Sequence, residues 1–131
     1  MIDLATDITN WIRDYCKENN IKSLIIGVSG GIDSAVASTL CGRTGIKTYA
    51  VTMPIHQDPE QTDRGVEHIK WLQKVCNPSI VHVHKDLTSI YDQFTEVMGD
   101  QGSDMGFANS RARLRMTTLY QIAACNSGIV V

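Results

Sequence analysis

Leu24-Ile25-Ile26-Gly27-Val28-Ser29-Gly30-Gly31-Ile32-Asp33-Ser34 is the stretch that decides how this chain folds. Ser23 to Val28 is short, apolar and largely uninterrupted, as expected of a strand buried on both faces. Two adjacent glycines then make a turn. A helix over about residues 34–43 follows, rich in small residues (Ala35, Ala37, Ser38) and stopped by Gly45. Downstream the pattern repeats. Lys47 to Met53 reads as a strand ending at Pro54, and a polar loop over 56–62 leads to a helix over about 63–76, with Val66, Ile69 and Leu72 inward. Asn77-Pro78 breaks that helix; residues 80–84 form a third strand and 87–98 a third connecting helix. Gly99 to Gly106 looks flexible, a long helix runs over about 107–126, and Gly128 to Val131 opens a fourth strand. Upstream, Leu4, Ile8, Trp11, Ile12 and Tyr15 fall on one stripe of a helix ended by Asn19-Asn20.

Alternating strands and helices predict an α/β fold: a Rossmann-like parallel sheet with right-handed crossovers and helices on both faces. In such sheets ligands bind beyond the carboxyl ends of the strands, where the strand order reverses. The first strand delivers Ser29-Gly30-Gly31 to that edge. The length of 131 residues suits one domain spanning 1–131. Because the last apolar strand has no helix after it, the sheet is expected to be incomplete at the C-terminus, as in a truncated domain.

Bulk composition narrows the function classes. With 43% apolar and 20% charged residues the chain is not a disordered one. A formal net charge of −2 offers no field for nucleic acid or an anionic membrane. An anion must then be held by a local site. The N-terminus starts with acids and shows no signal pattern, and no apolar run nears the ~20 residues that cross a bilayer. The reading is cytoplasmic, with neither membrane nor nucleic acid as partner. Cys16, Cys41, Cys76 and Cys125 contain no C-x-x-C pair and read as small apolar fillers in a reducing compartment.

The glycine turn carries the first chemical signal. Glycine lets a bulky anion approach the main chain, and the N–H groups of Gly31, Ile32 and Asp33 would converge on it at the helix N-terminus. Ser29 and Ser34 add hydroxyl donors. The spacing is not G-x-G-x-x-G, and no lysine follows as in a Walker loop. Asp33 stands in its place, and a carboxylate beside phosphates repels them unless Mg²⁺ lies between. The same residues also read as an ordinary turn in which Asp33 or Ser34 caps the helix.

The second signal is Asn109-Ser110-Arg111-Ala112-Arg113-Leu114-Arg115-Met116-Thr117-Thr118-Leu119-Tyr120. At about 100° per residue, Ala112, Met116, Leu119, Tyr120 and Ala123 make the expected buried stripe. Arg111 and Arg115 share a face with Thr118, while Arg113 points away. Two forked guanidiniums on one face suit a pyrophosphate or carboxylate; a solvated basic face is the alternative.

Ser-Gly-Gly-Ile-Asp-Ser after Ile-Ile-Gly-Val resembles the pyrophosphate loop of the N-type ATP pyrophosphatases, whose fold is of the adenine-nucleotide α-hydrolase type. The segment A-R-x-R-M-x-x-x-Y, preceded by Asn, resembles the helix after the third strand of NAD synthetases. The resemblance implies that Gly27, Val28, Ser29, Gly30, Gly31, Ile32, Asp33 and Ser34 contact ATP, with Asp33 holding Mg²⁺. It implies that Arg115 binds deamido-NAD; Arg113 matches the family's other arginine. It also implies amidation of deamido-NAD with ammonia through an adenylated intermediate, releasing AMP and pyrophosphate, in a homodimer with substrate near the subunit interface. No glutaminase domain precedes the loop, so the ammonia-using form is the closer match. Val51-Thr52-Met53-Pro54 resembles the end of the family's second strand, near the adenine. The glycine–threonine loop, second magnesium ligand and basic residues that follow the fourth strand in the family have no counterpart, so weak ATP binding without turnover is one expectation. The alternatives are another ATP pyrophosphatase with a different acceptor, and an inert nucleotide-binding fragment.

Other features read as structural. His82 and His84 share a strand face but have no apparent third ligand, with His56 and His68 remote in sequence. Trp11, Trp71 and the tyrosines read as packing residues. Ser29 and Ser34 have no His–Asp partners for nucleophilic catalysis.

Overall fold

The computed structural model describes residues 3–131; Met1 and Ile2 of the expected 1–131 domain lie outside the described residues. The elements are α1 (Leu4–Glu18), β1 (Ser23–Gly27), α2 (Ile32–Arg43), β2 (Thr48–Thr52), α3 (Pro59–Val75), β3 (Ile80–His84), α4 (Thr88–Met98), α5 (Asp104–Cys125) and β4 (Gly128–Val130). All strand pairs are parallel, in the order β3-β2-β1-β4. The chain moves outward from β1 to β3, then returns over α4 and α5 to place β4 on the other side of β1. The reversal therefore falls at the carboxyl end of β1.

Alternation along β1 splits the core into two layers. Leu24, Ile26 and Val28 pack with Cys16 of α1, Cys41 of α2, and Ile69 and Leu72 of α3. Ile25 points the other way and packs with Val51, Met53, Tyr91 of α4, and Leu119 and Ala123 of α5. A strand apolar on both of its faces, as Leu24, Ile25 and Ile26 make β1, is what a sheet covered on both sides requires. Arg13 ties α1 to the layer by donating from Nε to the Thr44 carbonyl (3.1 Å) and from Nη2 to the Arg43 carbonyl (3.2 Å), groups left open at the end of α2. Asn77, buried where α3 ends, donates to the Gly42 and Ile46 carbonyls.

Several helices depart from the sequence reading. α2 starts at Ile32, with Gly31 as its N-cap. α3 starts at Pro59, because Asp58 accepts from the Glu60 N–H at 3.0 Å and Pro59 stands at the first helical position. α5 starts at Asp104, because Ser103 accepts from the Gly106 N–H at 3.1 Å; most of the expected flexible segment 99–106 is thus helix or a 3₁₀ turn (Gly99–Gln101). Faces differ too. In α1, Thr9 and Cys16 are buried with Ile12 against the core, whereas Leu4, Trp11 and Tyr15 are exposed, Trp11 at 66%. In α5 the inward side runs through Leu114, Leu119, Ile122 and Ala123, while Ala112, Met116 and Tyr120 are exposed, Tyr120 at 61%. Trp71 is likewise half exposed, against the expectation that the tryptophans pack inside. All four cysteines are free. Cys16 and Cys41 fill the core as expected, with burial and its neighbour Cys16 pushing the Cys41 thiol up to about 12, but Cys125 is exposed.

The histidines on β3 have a structural role. Thr52, buried on the same face, places its hydroxyl 2.8 Å from His82 Nε2 and 2.8 Å from His84 Nδ1. His68 Nε2 lies 2.9 Å from the Ser38 hydroxyl. Burial pushes His82 and His68 below the usual imidazole range, with the charges of His84 and Lys70 adding to the effect at His82.

Two predictions follow from this packing. Gly30 has φ +88°, and a side chain there would overlap the Gln61 carbonyl of α3. Gly30→Ala is expected to cost more than about 2 kcal/mol, since the backbone conformation alone costs roughly 1–2; a urea unfolding midpoint equal to that of the parent chain would contradict this. For the histidines, the unfolded chain takes up protons first, near its ordinary value of about 6.5. Native stability is therefore full above that pH and declines as the pH falls below it. The thermal midpoint is expected to drop between about pH 7.5 and about pH 5.5, and to drop less in His82→Gln.

Candidate functional site

β1 and the loop behind it are fixed before any ligand is considered. The Val28 N–H still donates to the Val51 carbonyl at 2.8 Å, so the strand continues to the brink of the turn. Ser34 then folds back: its hydroxyl accepts from the Ser29 N–H (3.0 Å), donates to the Gly31 carbonyl (3.3 Å) and lies 3.1 Å from the Ser29 hydroxyl. The Ser29 hydroxyl in turn accepts from the Gly31 N–H at 3.2 Å. α3 closes the other side. Gly65 brings its backbone against Val28 and Gly30, and Gln57 Nε2 donates to the Ser29 carbonyl at 3.1 Å.

This ring revises the expectation for the turn. The Gly31 N–H and both serine hydroxyls are already partnered inside the loop. The amides of Ile32 and Asp33, in the first turn of α2, make no hydrogen bond among the described residues. They carry the positive end of a 12-residue helix at the point where the strand order reverses. Asp33 is exposed beside them and has no ion-pair partner among the described residues.

Behind the loop lies a pocket of about 360 Å³, with walls from Gly27, Val28 and Ser29, from Met53 at the end of β2, from Gln57 and Gln61, and from Ala112, Arg115, Met116 and Leu119 of α5. Thr52, by contrast, faces the histidines on the other side of the sheet, so of the segment 51–54 Met53 is the residue that reaches the pocket wall. Arg115 donates from Nε to the Met53 carbonyl at 3.0 Å, which anchors the guanidinium stem to the sheet edge. Its charge is disfavoured by burial and, secondly, by Arg111 one turn away. Neither guanidinium has a carboxylate within ion-pair distance among the described residues. Arg113 lies elsewhere, in a shallow depression with Met116, Thr117, Tyr120 and Gln121.

The structure thus brings Gly27, Val28, Ser29 and Arg115 around one cavity; Gly30 to Ser34 follow in the loop and the first turn of α2 and are not among its wall residues, Ile32 lining a separate depression with Val36 and Thr39. It leaves Arg113 on a different face. Gln57 and Gln61 escaped the sequence reading because the segment holding them was read as a polar loop; Asp58-Pro59 is the signal that α3 begins there. Among the described residues no three His, Cys, Asp or Glu side chains gather to hold a metal. A lone exposed carboxylate beside open amides fits Mg²⁺ that arrives with substrate phosphates and keeps most of its waters, rather than a resident ion.

Comparison with known proteins agrees with the fold. The family model for NAD synthase matches residues 4–131. The chain is 33% identical over 129 residues to an NH(3)-dependent NAD(+) synthetase of Finegoldia magna, covering 98% of the chain and 51% of that protein. It is 34% identical over 128 residues to the one from Mesoplasma florum, covering 95% and 50%. Among solved structures, an NMN synthetase from Francisella tularensis superposes with a TM-score of 0.86 at 31% identity, over 96% of this chain and 51% of that one. An NH3-dependent NAD synthetase from Campylobacter jejuni, in complex with the nitrate ion, gives 0.84 at 25% identity, over 96% and 53%. The chain spans about half the length of the curated relatives it matches. On its strand order, its loop and this match across nearly all of its length, the chain belongs to the NAD synthase family.

Proposed function

We propose that the chain supplies the ATP-binding and acceptor-binding part of an ammonia-using NAD synthetase. The observation that carries this reading is a pairing of opposites at one sheet edge. Open amides and a lone acid stand at the start of α2, and a guanidinium without a counter-acid stands in the pocket wall beside them. In this reading the segment Gly27 to Ser34 holds ATP, its phosphates on the Ile32 and Asp33 amides. Asp33 is the residue that would hold Mg²⁺, which would supply charge neutralisation for the leaving pyrophosphate. Arg115 orients the carboxylate-bearing acceptor, deamido-NAD. An oxygen of that carboxylate attacks the α-phosphorus, pyrophosphate leaves, and an acyl adenylate remains. Ammonia attacks the acyl carbon, loses a proton, and AMP departs. Positioning and charge neutralisation supply most of the rate in such phosphoryl chemistry. Arg113, outside the pocket, takes no part in this arrangement.

A mononucleotide acceptor is the second reading, favoured by the likeness to the Francisella protein named as an NMN synthetase. We also assign the exposed apolar residues of α1 (Leu4, Trp11) and α5 (Met116, Tyr120) to a homodimer contact. A cytoplasmic setting accords with four free cysteines, and among the described residues no helix is long and apolar enough to cross a membrane.

Calorimetric titration tests the assignment. Asp33→Asn is expected to weaken ATP binding about tenfold or more when Mg²⁺ is present and, by removing a charge that repels the phosphates, to leave metal-free binding no weaker; equal affinities with Mg²⁺ would remove Asp33 from the metal. Arg115→Gln is expected to weaken deamido-NAD by about tenfold to a hundredfold, the worth of one or two charge-assisted hydrogen bonds, with ATP affected less than about twofold. Equal losses for both ligands would take Arg115 out of the acceptor site. Tighter binding of nicotinate mononucleotide than of deamido-NAD would select the mononucleotide reading, and AMP formation on adding ammonia would separate a turning-over enzyme from a binding module.

A further inference from the structure

Arg111 lies outside the pocket wall, yet it is held in place. Its Nη1 donates to the Tyr91 hydroxyl at 3.0 Å, and the guanidinium carbon sits 5.6 Å from the centre of the same ring. Tyr91 is itself buried on α4 and wedged edge-on between His56 and Phe107, each with ring centroids 6.2 Å away. His56 is pinned in turn: its side chain pairs with Asp92, and its N–H donates to the Thr88 hydroxyl at 3.1 Å from a backbone with φ +48°. Three elements therefore converge to fix one guanidinium.

The anchor is neutral, and that is its chemical point. A phenol accepts one of the five guanidinium N–H groups and cancels none of the charge. A carboxylate in its place would hold Arg111 equally well and consume the charge a ligand needs. Arg115 stands four residues on, close enough that the two like charges disfavour each other, and such a pair at this spacing is mildly destabilising in the empty protein. An oxyanion shared between them reverses the sign. Since Arg111 stands roughly 6 Å further along the helix, at about 1.5 Å per residue, only a ligand reaching beyond the pocket touches both.

We propose that Arg111 is a second anion-binding arm of the acceptor site and that Tyr91 is the residue that positions it. The assignment rests on the acceptor reading given above and adds to it an oxyanion contact outside the pocket. The contact is a phosphate of the ligand's bridge or its carboxylate, and the two are separable, because NAD carries the same phosphates as deamido-NAD with an amide in place of the acid.

The test follows the side-chain Nε–H signals of Arg111 and Arg115 in the isotope-labelled chain during titration with inorganic pyrophosphate, NAD and deamido-NAD. Both signals are expected to move together and saturate, and Arg111→Gln to weaken binding about tenfold, as for one charge-assisted hydrogen bond. A loss shared by deamido-NAD and NAD identifies the phosphates; a loss confined to deamido-NAD identifies the carboxylate. Tyr91→Phe, which keeps the ring and its packing, is expected to shift the Arg111 signal in the unliganded chain and to weaken binding severalfold. Movement of Arg115 without Arg111, or Arg111→Gln binding as tightly as the parent, overturns the proposal. Response of both arginines to pyrophosphate but to neither dinucleotide leaves the second arm standing and sinks the acceptor reading instead. A Tyr91→Phe chain with the parent Arg111 signal and affinity overturns the positioning role.

Discussion

The carbonyl of Gln61 occupies the space into which any side chain at Gly30 would have to project. This close approach of α3 to the loop after β1 is the constraint on which the rest of the site depends. It demands glycine at residue 30, which also takes a positive φ of +88° closed to most residue types, and the chain turns there from β1 into α2 at Ile32. The serine ring across the loop then locks the turn without using the amides of Ile32 and Asp33. Those amides are left open because the local bonding is complete elsewhere. The site is preorganised by packing, and a ligand need not order it.

Charge is handled locally in the same way. The chain is slightly acidic overall, at −2, and has no long-range field to gather anions. What it has is a helix N-terminus, with the Asp33 carboxylate beside it, and two guanidiniums that make no ion pair with an acid among the described residues. Arg115 is fastened through Nε to a backbone carbonyl and Arg111 to a phenol, two acceptors that orient a cation without discharging it. Unbalanced positive charge on rigid supports is costly in an empty protein and is repaid when an anion arrives.

How much of this was legible in the sequence divides along physical lines. The continuous run 24–28 and the glycine turn stated the parallel sheet and the position of the loop, because a doubly covered strand carries apolar residues on both faces. The helix faces were harder. Periodicity detects an apolar stripe but not whether that stripe meets the sheet, and in α1 and α5 part of it faces out while Thr9, Cys16 and Leu114 turn inward. The starts of α3 and α5 were hidden by their caps: Asp58-Pro59 and Ser103 sit in polar, glycine-bearing segments that read as loop until the capping residue is given its due. Arg115 was singled out by its motif, and it stands in the pocket wall. Gln57 and Gln61 were not, because the start of α3 that carries Gln61 to the β1 loop lay hidden in a polar segment; Tyr91 was not, because it meets Arg111 only where α4 packs on α5.

The most direct measurement is a crystal structure of this chain with ATP and Mn²⁺ in place of Mg²⁺, located by its anomalous signal. Phosphate oxygens are expected on the Ile32 and Asp33 amides, with the metal in contact with both the phosphates and the Asp33 carboxylate. A triphosphate bound away from the start of α2, or a metal with no contact to Asp33, would contradict it.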